Sequence, residues 1–405
     1  MATEAVVTGV GAITPLGADS ADTWAGVTGG DSGIARITAF DPEAHNLGSK
    51  VVGRVAFDAA DHDVVDDRGM GRYAQLAVVA AHEAVSDAGL TPDGDGWQPE
   101  RVGVSVGTGM GGFPEIEEAV AGGRVRPRFV ISQLPNLAAG YVSQAFGATG
   151  PNRAPATACA AGTHAVGDAL DEIRTGRADV MIAGGTEASL SPTGIRGFDA
   201  MRALSTANDA PTRASRPFDA DRDGFVIAEG AGVLVLEALE HAAERGADPL
   251  ARVTGYARTA DAHHPTGPPA DAHGLRRCIR AAIRDAGCDP RDVDHVNAHG
   301  TGTPRGDPHE ATALRYVFDD PPPVTSLKGA IGHTLGASGA IEAVASATAV
   351  REGTRPPTLN YETPDPECDV PIVETTQPTE RGVVVSNSAG FGGTNGSIVV
   401  EEYDR

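Results

Sequence analysis

Short apolar runs bounded by glycine recur along this chain. They are EAVVTGVG (4–11), RVGVSVGTG (101–109), DVMIAGGTE (179–187), GAGVLVLE (230–237), ARVTGYA (251–257), HVNAHGTGT (295–303), GVVVSNSAGFGG (382–393) and GSIVVEEY (396–403). Strands covered on both faces read as continuous apolar runs, so each of these predicts a buried strand. Alanine-rich segments with helical spacing lie between them: RYAQLAVVAAHEAVSDAGL (72–90), GTHAVGDALDEIRTG (162–176), GLRRCIRAAIRDAGC (274–288) and GAIEAVASATAVREG (339–353). Strands alternating with helices specify an α/β layered architecture. Residues 1–250 hold one such series and residues 251–405 a second, with the loop-like DAHHPTGPPADAHG (261–274) just inside the second. No low-complexity linker separates the two, so they are expected to pack against each other.

At 405 residues and 40% hydrophobic composition the chain can bury a core of this size. The formal net charge of -23 argues against nucleic acid and anionic membranes as partners, because both call for basic patches. MATEAVVTGVGAITPLG at the N-terminus has no basic leader, and no segment approaches the roughly 18 apolar residues of a membrane span. The four cysteines, Cys159, Cys278, Cys288 and Cys368, form no CxxC pair and no zinc pattern. A large chain with few thiols fits the reducing cytoplasm, and no metal is expected. Only two lysines occur, Lys50 and Lys328, against many arginines.

Cys159 sits in PATACAAGTHAVGDAL (155–170), among small residues and ahead of a helical pattern. At a strand-to-helix turn, free N–H groups and the helix dipole would stabilise a thiolate and lower its pKa. The same N–H groups could hold an oxyanion. The alternative is a small buried hydrophobe, the commoner fate of a free cysteine. Three further segments bear on the choice. NAHGTGTPRGD (297–307) places His299 at a strand end before a Gly/Thr loop. SLKGAIGHTLGASGAIEA (326–343) places Lys328 five residues before His333 in a Gly-rich loop. GFGGTNG (390–396) is a Gly-rich turn carrying Phe391. Histidines in loops that let a ligand approach the backbone are candidates for chemistry.

TACAAGTHAVGDAL, NAHGTGTPRGD, LKGAIGHTLGASGA and SNSAGFGGTN resemble the signature regions of the elongating β-ketoacyl-acyl-carrier-protein synthases. RPFDADRDGFVIAEGAGVLVLE (216–237) is similar to another stretch of that family. The motifs come in the family's order and the likeness runs from residue 4 to about 402. The resemblance implies a thiolase-like five-layer αβαβα sandwich of two similar halves, working as a dimer, homodimeric or with a related subunit. It implies decarboxylative Claisen condensation of an acyl thioester with malonyl-acyl-carrier protein, in fatty-acid or polyketide-type biosynthesis. No cofactor of the enzyme's own is implied, since phosphopantetheine arrives on the carrier protein.

By the same resemblance Cys159 is the nucleophile, and the N–H groups of Cys159 and Phe391 face the acyl oxygen. His299 and His333 hydrogen-bond the malonyl thioester oxygen. Lys328 pairs with Glu342 and sets the local field. Thr301 and Thr303 bind the pantetheine arm, Phe391 is a gate freed by neighbours such as Gly392, and Met110 lines the acyl pocket. An acidic carrier protein demands a local basic patch on this acidic chain. Arg68, Arg72, Arg124, Arg126 and Arg128 are the candidates, with an ordinary solvated face as the alternative.

Departures from the family pattern concern the substrate. The segment between GTGMGGF and QLPNLAAG is short, Ala389 stands where fatty-acid enzymes usually carry Phe, and Ala207 stands where some relatives place a carrier-binding Arg. Two other readings are weaker. A thiolase would need a second cysteine in SNSAGFGGTN, and an initiating synthase would carry Asn where His333 stands. A chain-length-factor-like partner would lack the nucleophile that Cys159 supplies.

Overall fold

The computed structural model describes residues 3–403 apart from 66–68, 93, 95, 124, 380 and 381. Ten strands form its main sheet assembly. They are β1 (Ala5–Ile13), β2 (Val102–Gly107), β3 (Asn152–Arg153), β4 (Val180–Glu187), β5 (Gly230–Ala238), β6 (Ala251–Ala260), β7 (His295–Asn297), β8 (Val324–Thr325), β9 (Val383–Gly390) and β10 (Thr394–Glu402). All eight apolar runs are strands. The two that the sequence reading missed, β3 and β8, are two-residue edge strands, too short to leave an apolar signature.

The strands run in the order β8-β7-β9-β10-β6-β1-β5-β4-β2-β3. Each half therefore has its first strand beside its fifth, then its fourth, second and third. Directions match as well: β1–β5 and β5–β4 are antiparallel, β4–β2 and β2–β3 parallel, and the β6–β10–β9–β7–β8 series repeats this. The halves meet where Val6 and Val7 pair with Arg252 and Ala251.

The four longest helices among the described residues lie in the layers: α1 (Arg72–Asp87), α2 (Ala161–Arg174), α3 (His273–Ala286) and α4 (Ser338–Glu352). Alternate residues along a strand face opposite layers. Val233 and Val235 of β5 pack with Leu76 and Val85 of α1 on one outer side. Leu234 and Leu236 face inward, onto a central core with Val166 and Leu170 of α2, Val344 and Val350 of α4, and Ile398 and Val400 of β10. On the far side Val385 and Val399 meet Leu275, Ile279 and Ile283 of α3. The result is the five-layer αβαβα sandwich. The central helices are built of small residues because both their faces are covered.

The internal repeat reaches the sequence level at one place. TACAAG (157–162) precedes α2 and TLGASG (334–339) precedes α4. Each forms a single 3-10 turn whose first residue has a left-handed backbone, Ala158 at φ 51° and Leu335 at φ 47°. The helices then cross at Gly162 and Gly339. A Cβ on Gly162 would lie 2.6 Å from Ala340 N, and one on Gly339 2.0 Å from Thr163 Oγ1. Only glycine permits this approach, which brings both helix N-termini to one site.

Candidate active site

Cys159 lies in the turn entering α2, buried and free of any disulfide. His333 comes to it from the turn entering α4: its Nε2 is 3.1 Å from Cys159 Sγ. The His333 backbone is fixed by Val226, whose carbonyl accepts from His333 N at 2.7 Å. Its Nδ1 lies 2.9 Å from Ser338 Oγ, which in turn is 3.0 Å from Thr334 Oγ1. His299 leaves the end of β7 and sets its ring edge-on to His333, centroids 5.2 Å apart at 85°. The ligating atoms of Cys159, His299 and His333 all fall within 4.8 Å of one another.

Buried carboxylates shape the loops that carry these groups. Glu310 accepts from His299 N and Gly300 N, both at 2.8 Å. Asp307 accepts from Thr301 N and Gly302 N at 3.1 Å and from Phe218 N at 2.7 Å. Glu187 joins the halves, accepting from Gly109 N at 2.8 Å and Gly336 N at 3.1 Å. Ser338, Glu187, Asp307 and Glu310 escaped the sequence reading, because their partners are backbone amides or a histidine brought near only by the fold.

Lys328 and Glu342 form a buried ion pair. The ammonium field acts on the whole cluster: it pulls the Cys159 thiol down and, second to burial, pushes His299 and His333 well below the ordinary histidine range. Both imidazoles are therefore neutral. Burial pushes the thiol up, to about 12, against the pull of Lys328 and of the N–H groups of Phe391 and Cys159 itself. This corrects the expectation of a lowered thiol pKa. A helix dipole contributes about 0.3–1 kcal/mol, whereas a rise from 9.0 to about 12 corresponds to roughly 4 kcal/mol. Desolvation wins, and the resting state is a neutral thiol–imidazole pair. Alkylation of Cys159 by iodoacetamide should accordingly climb about tenfold per pH unit through the alkaline range, as the thiolate fraction does. A rate already level near neutral pH would show that the thiolate is the resting form.

A cavity of about 490 Å³ leads to Cys159. Its lining includes the apolar Phe198, Phe225, Leu335 and Phe391 and the polar Thr301, Thr303 and His309. Thr301 and Thr303 hydroxyls lie 3.0 Å apart, and Thr303 Oγ1 also accepts from Gly306 N. Phe391, partly exposed, leans on Phe198 with ring centroids 6.3 Å apart. It opens a turn in which Gly392 and Gly393 take left-handed backbones at φ 87° and 72°. Met110 packs into the same apolar cluster as Cys159, Ile195 and Phe198, and Ala389 lines the cavity.

The basic candidates fare differently. Arg68 and Arg124 lie outside the described residues. Arg72 is not a free surface cation: its Nη2 and Nε donate to Glu229 at 2.7 and 3.0 Å, and Nη2 also donates to Val55 O. Arg126 is exposed and pairs with Glu118 at 2.9 Å. The cavity mouth is instead lined by the exposed Arg202 and Arg305, neither of which forms an ion pair among the described residues. Sequence density favoured GGRVRPRF, but the place where the cavity opens is set by the fold.

The beta-ketoacyl synthase N-terminal domain family matches residues 2–242, and its C-terminal domain family residues 250–362. The chain is 44% identical to the 3-oxoacyl-[acyl-carrier-protein] synthase 2 of Staphylococcus aureus (strain N315), over 98% of each chain. It is 43% identical to that of Coxiella burnetii (strain RSA 493 / Nine Mile phase I), over 98% of this chain and 97% of the relative. Among solved structures, the ishigamide ketosynthase/chain length factor superimposes with TM-score 0.93 at 34% identity, covering all of both chains. A type II PKS acyl-carrier protein in complex with its ketosynthase bound to the hexaketide superimposes with TM-score 0.90, also at 34% identity and full coverage. With a thiol, two neutral imidazoles and a buried lysine converging at the crossing of its central helices, this chain belongs to the beta-ketoacyl synthase family and is a condensing enzyme of fatty-acid or polyketide biosynthesis.

Proposed function

We propose that Cys159 carries the acyl group and that His299 and His333 drive malonyl decarboxylation. The observation that carries this reading is the 3.1 Å contact between His333 Nε2 and Cys159 Sγ beneath a cavity wide enough for a thioester arm. In the first step the Cys159 sulfur attacks the acyl carbonyl carbon. A new C–S bond forms, the carrier's C–S bond breaks, and the thiol proton leaves with the carrier thiolate. The N–H groups of Cys159 and Phe391, which lie against the sulfur, are placed to hold the acyl oxygen.

In the second step malonyl-carrier protein enters the same cavity. Its C–CO2 bond breaks and the electron pair forms an enolate. Two neutral imidazoles presenting Nε2–H stabilise that oxygen. A Ser338 hydroxyl donating to His333 Nδ1 selects this tautomer. The enolate carbon then attacks the Cys159 thioester, forming the C–C bond and releasing the sulfur. Burial, reinforced by the charge of Lys328 that Glu342 holds in place, keeps both histidines neutral.

The thioesters arrive on the phosphopantetheine of an acidic carrier protein, and Arg202 and Arg305 at the mouth receive it. A second copy of the chain covers the exposed apolar Val120, Val125, Val130 and Ile131 and the open edge strand β3. Ala389 leaves room beside the gate for acyl groups bulkier than a straight chain. Purified protein incubated with a panel of acyl-carrier proteins and malonyl-carrier protein should yield β-ketoacyl-carrier protein and CO2 in equal amounts. No condensation across a broad panel, with the protein purifying only alongside a similar subunit, would favour the inactive-partner reading.

A further inference from the structure

His309 stands on the helix Gly306–Val317, just after the Thr301–Thr303 loop, and lines the cavity that ends at Cys159. It is 8% exposed, and its Nε2 is buried without a hydrogen-bond partner. Buried polar groups are nearly always satisfied. The other buried histidines of the chain, His299 apart, each make at least one ring hydrogen bond. His164 uses both ring nitrogens, on Thr157 and Asn395 O. His295 uses Nε2 on Thr325 and leaves Nδ1 without a partner, and His333 uses both. Among the described residues, only His299 and His309 are buried histidines whose rings make no hydrogen bond. His299 faces the reacting centre, so its free ring awaits a ligand. The same logic applies to His309.

The surroundings define what that ligand is. Burial holds the His309 imidazole neutral; Asp261 and Asp271 pull its pKa up and His273 pushes it down. A neutral imidazole offers one donor and one acceptor. Asp261 is already engaged, accepting from Asn395 Nδ2 at 2.8 Å, so it does not supply the partner that His309 lacks. An amide, neutral with one donor and one acceptor, matches. Phe198, Phe225 and Phe391, which also line the cavity, offer such a group no side-chain hydrogen bond.

We propose that His309 is a specificity-determining residue that hydrogen-bonds an amide of the pantetheine arm delivering the thioester, a role that rests on the condensing reading above. Two probes carrying the same acyl group test it: acyl-pantetheine, and the S-hexyl thioester, which has no amide. Intact-mass spectrometry follows acylation of Cys159 over time at several concentrations. The wild-type protein should prefer acyl-pantetheine. His309→Ala should lose about tenfold of that preference, the worth of one neutral hydrogen bond, with the S-hexyl rate unchanged. His309→Gln, which keeps a donor and an acceptor, should recover part of it. His309→Leu, closer in volume, serves the same purpose if the alanine variant is unstable. An unchanged preference in the variants, or equal loss with both probes, would overturn the proposal. A wild-type protein acylated by neither probe would overturn the condensing reading itself.

Discussion

Cys159→Ala should take up no acyl mass from any acyl-carrier protein, and condensation should fall by about a million-fold, the scale seen when a nucleophile is removed from otherwise intact machinery. The chemistry has no substitute for the thiol. A thioester intermediate needs a sulfur that attacks readily and later leaves readily. The other three cysteines are absent from the cavity lining, where Cys159 is the one sulfur nucleophile among the described residues. The substitution also leaves the fold alone: Cys159 sits in a small apolar cluster with Ile195 and Leu335, and losing one sulfur atom from it costs about 1 kcal/mol. The histidines remain in place, so malonyl-carrier protein should still lose CO2. Intact-mass measurement and CO2 release, read on the same sample, separate the two half-reactions. An acyl adduct on the variant would mean that another nucleophile carries the chain. Loss of CO2 release from a folded variant would mean that the sulfur takes part in decarboxylation.

The residues proposed to carry the chemistry were legible because each carries it in its own side chain and stands in a glycine-rich setting. Cys159, His299, Lys328 and His333 are spread over 159–333 in sequence, yet the αβαβα topology brings them to one crossing of two helices. What escaped was whatever depends on a neighbour. Glu187, Asp307 and Glu310 bind backbone amides, which no side-chain pattern announces. Arg72 reads as a surface cation until Glu229 is found against it, and Arg202 and Arg305 are scattered arginines until the cavity opens between them. The thiol pKa shows the same limit. Helix position, visible in sequence, predicts a lower value; burial, visible only in the fold, is the larger effect and reverses it. The repeat of TACAAG and TLGASG was also in plain view, but only matching strand orders around it give the six-residue likeness meaning.

His299→Ala should leave Cys159 acylation close to the wild-type rate and slow condensation by about 10²–10³-fold, the range for deleting one preorganised donor to a developing oxyanion. The asymmetry follows from the geometry. His333, not His299, touches the sulfur, and its Ser338 and Val226 contacts do not involve His299. The enolate oxygen, by contrast, gathers charge as CO2 departs, and two neutral donors hold it better than one. Malonyl decarboxylation should therefore fall in parallel with condensation, while the acyl-enzyme accumulates. The pH profile carries a second signature. Both histidines lie well below their ordinary pKa, so they stay neutral donors across the neutral range, and wild-type decarboxylation should hold steady as pH falls through 6.5. A drop centred at the ordinary histidine value would mean that one imidazole is far more exposed to water in the working enzyme. If His299→Ala instead lost acylation as strongly as condensation while remaining folded, His299 would belong to activation of the thiol, and the division of labour between the two histidines would have to be redrawn.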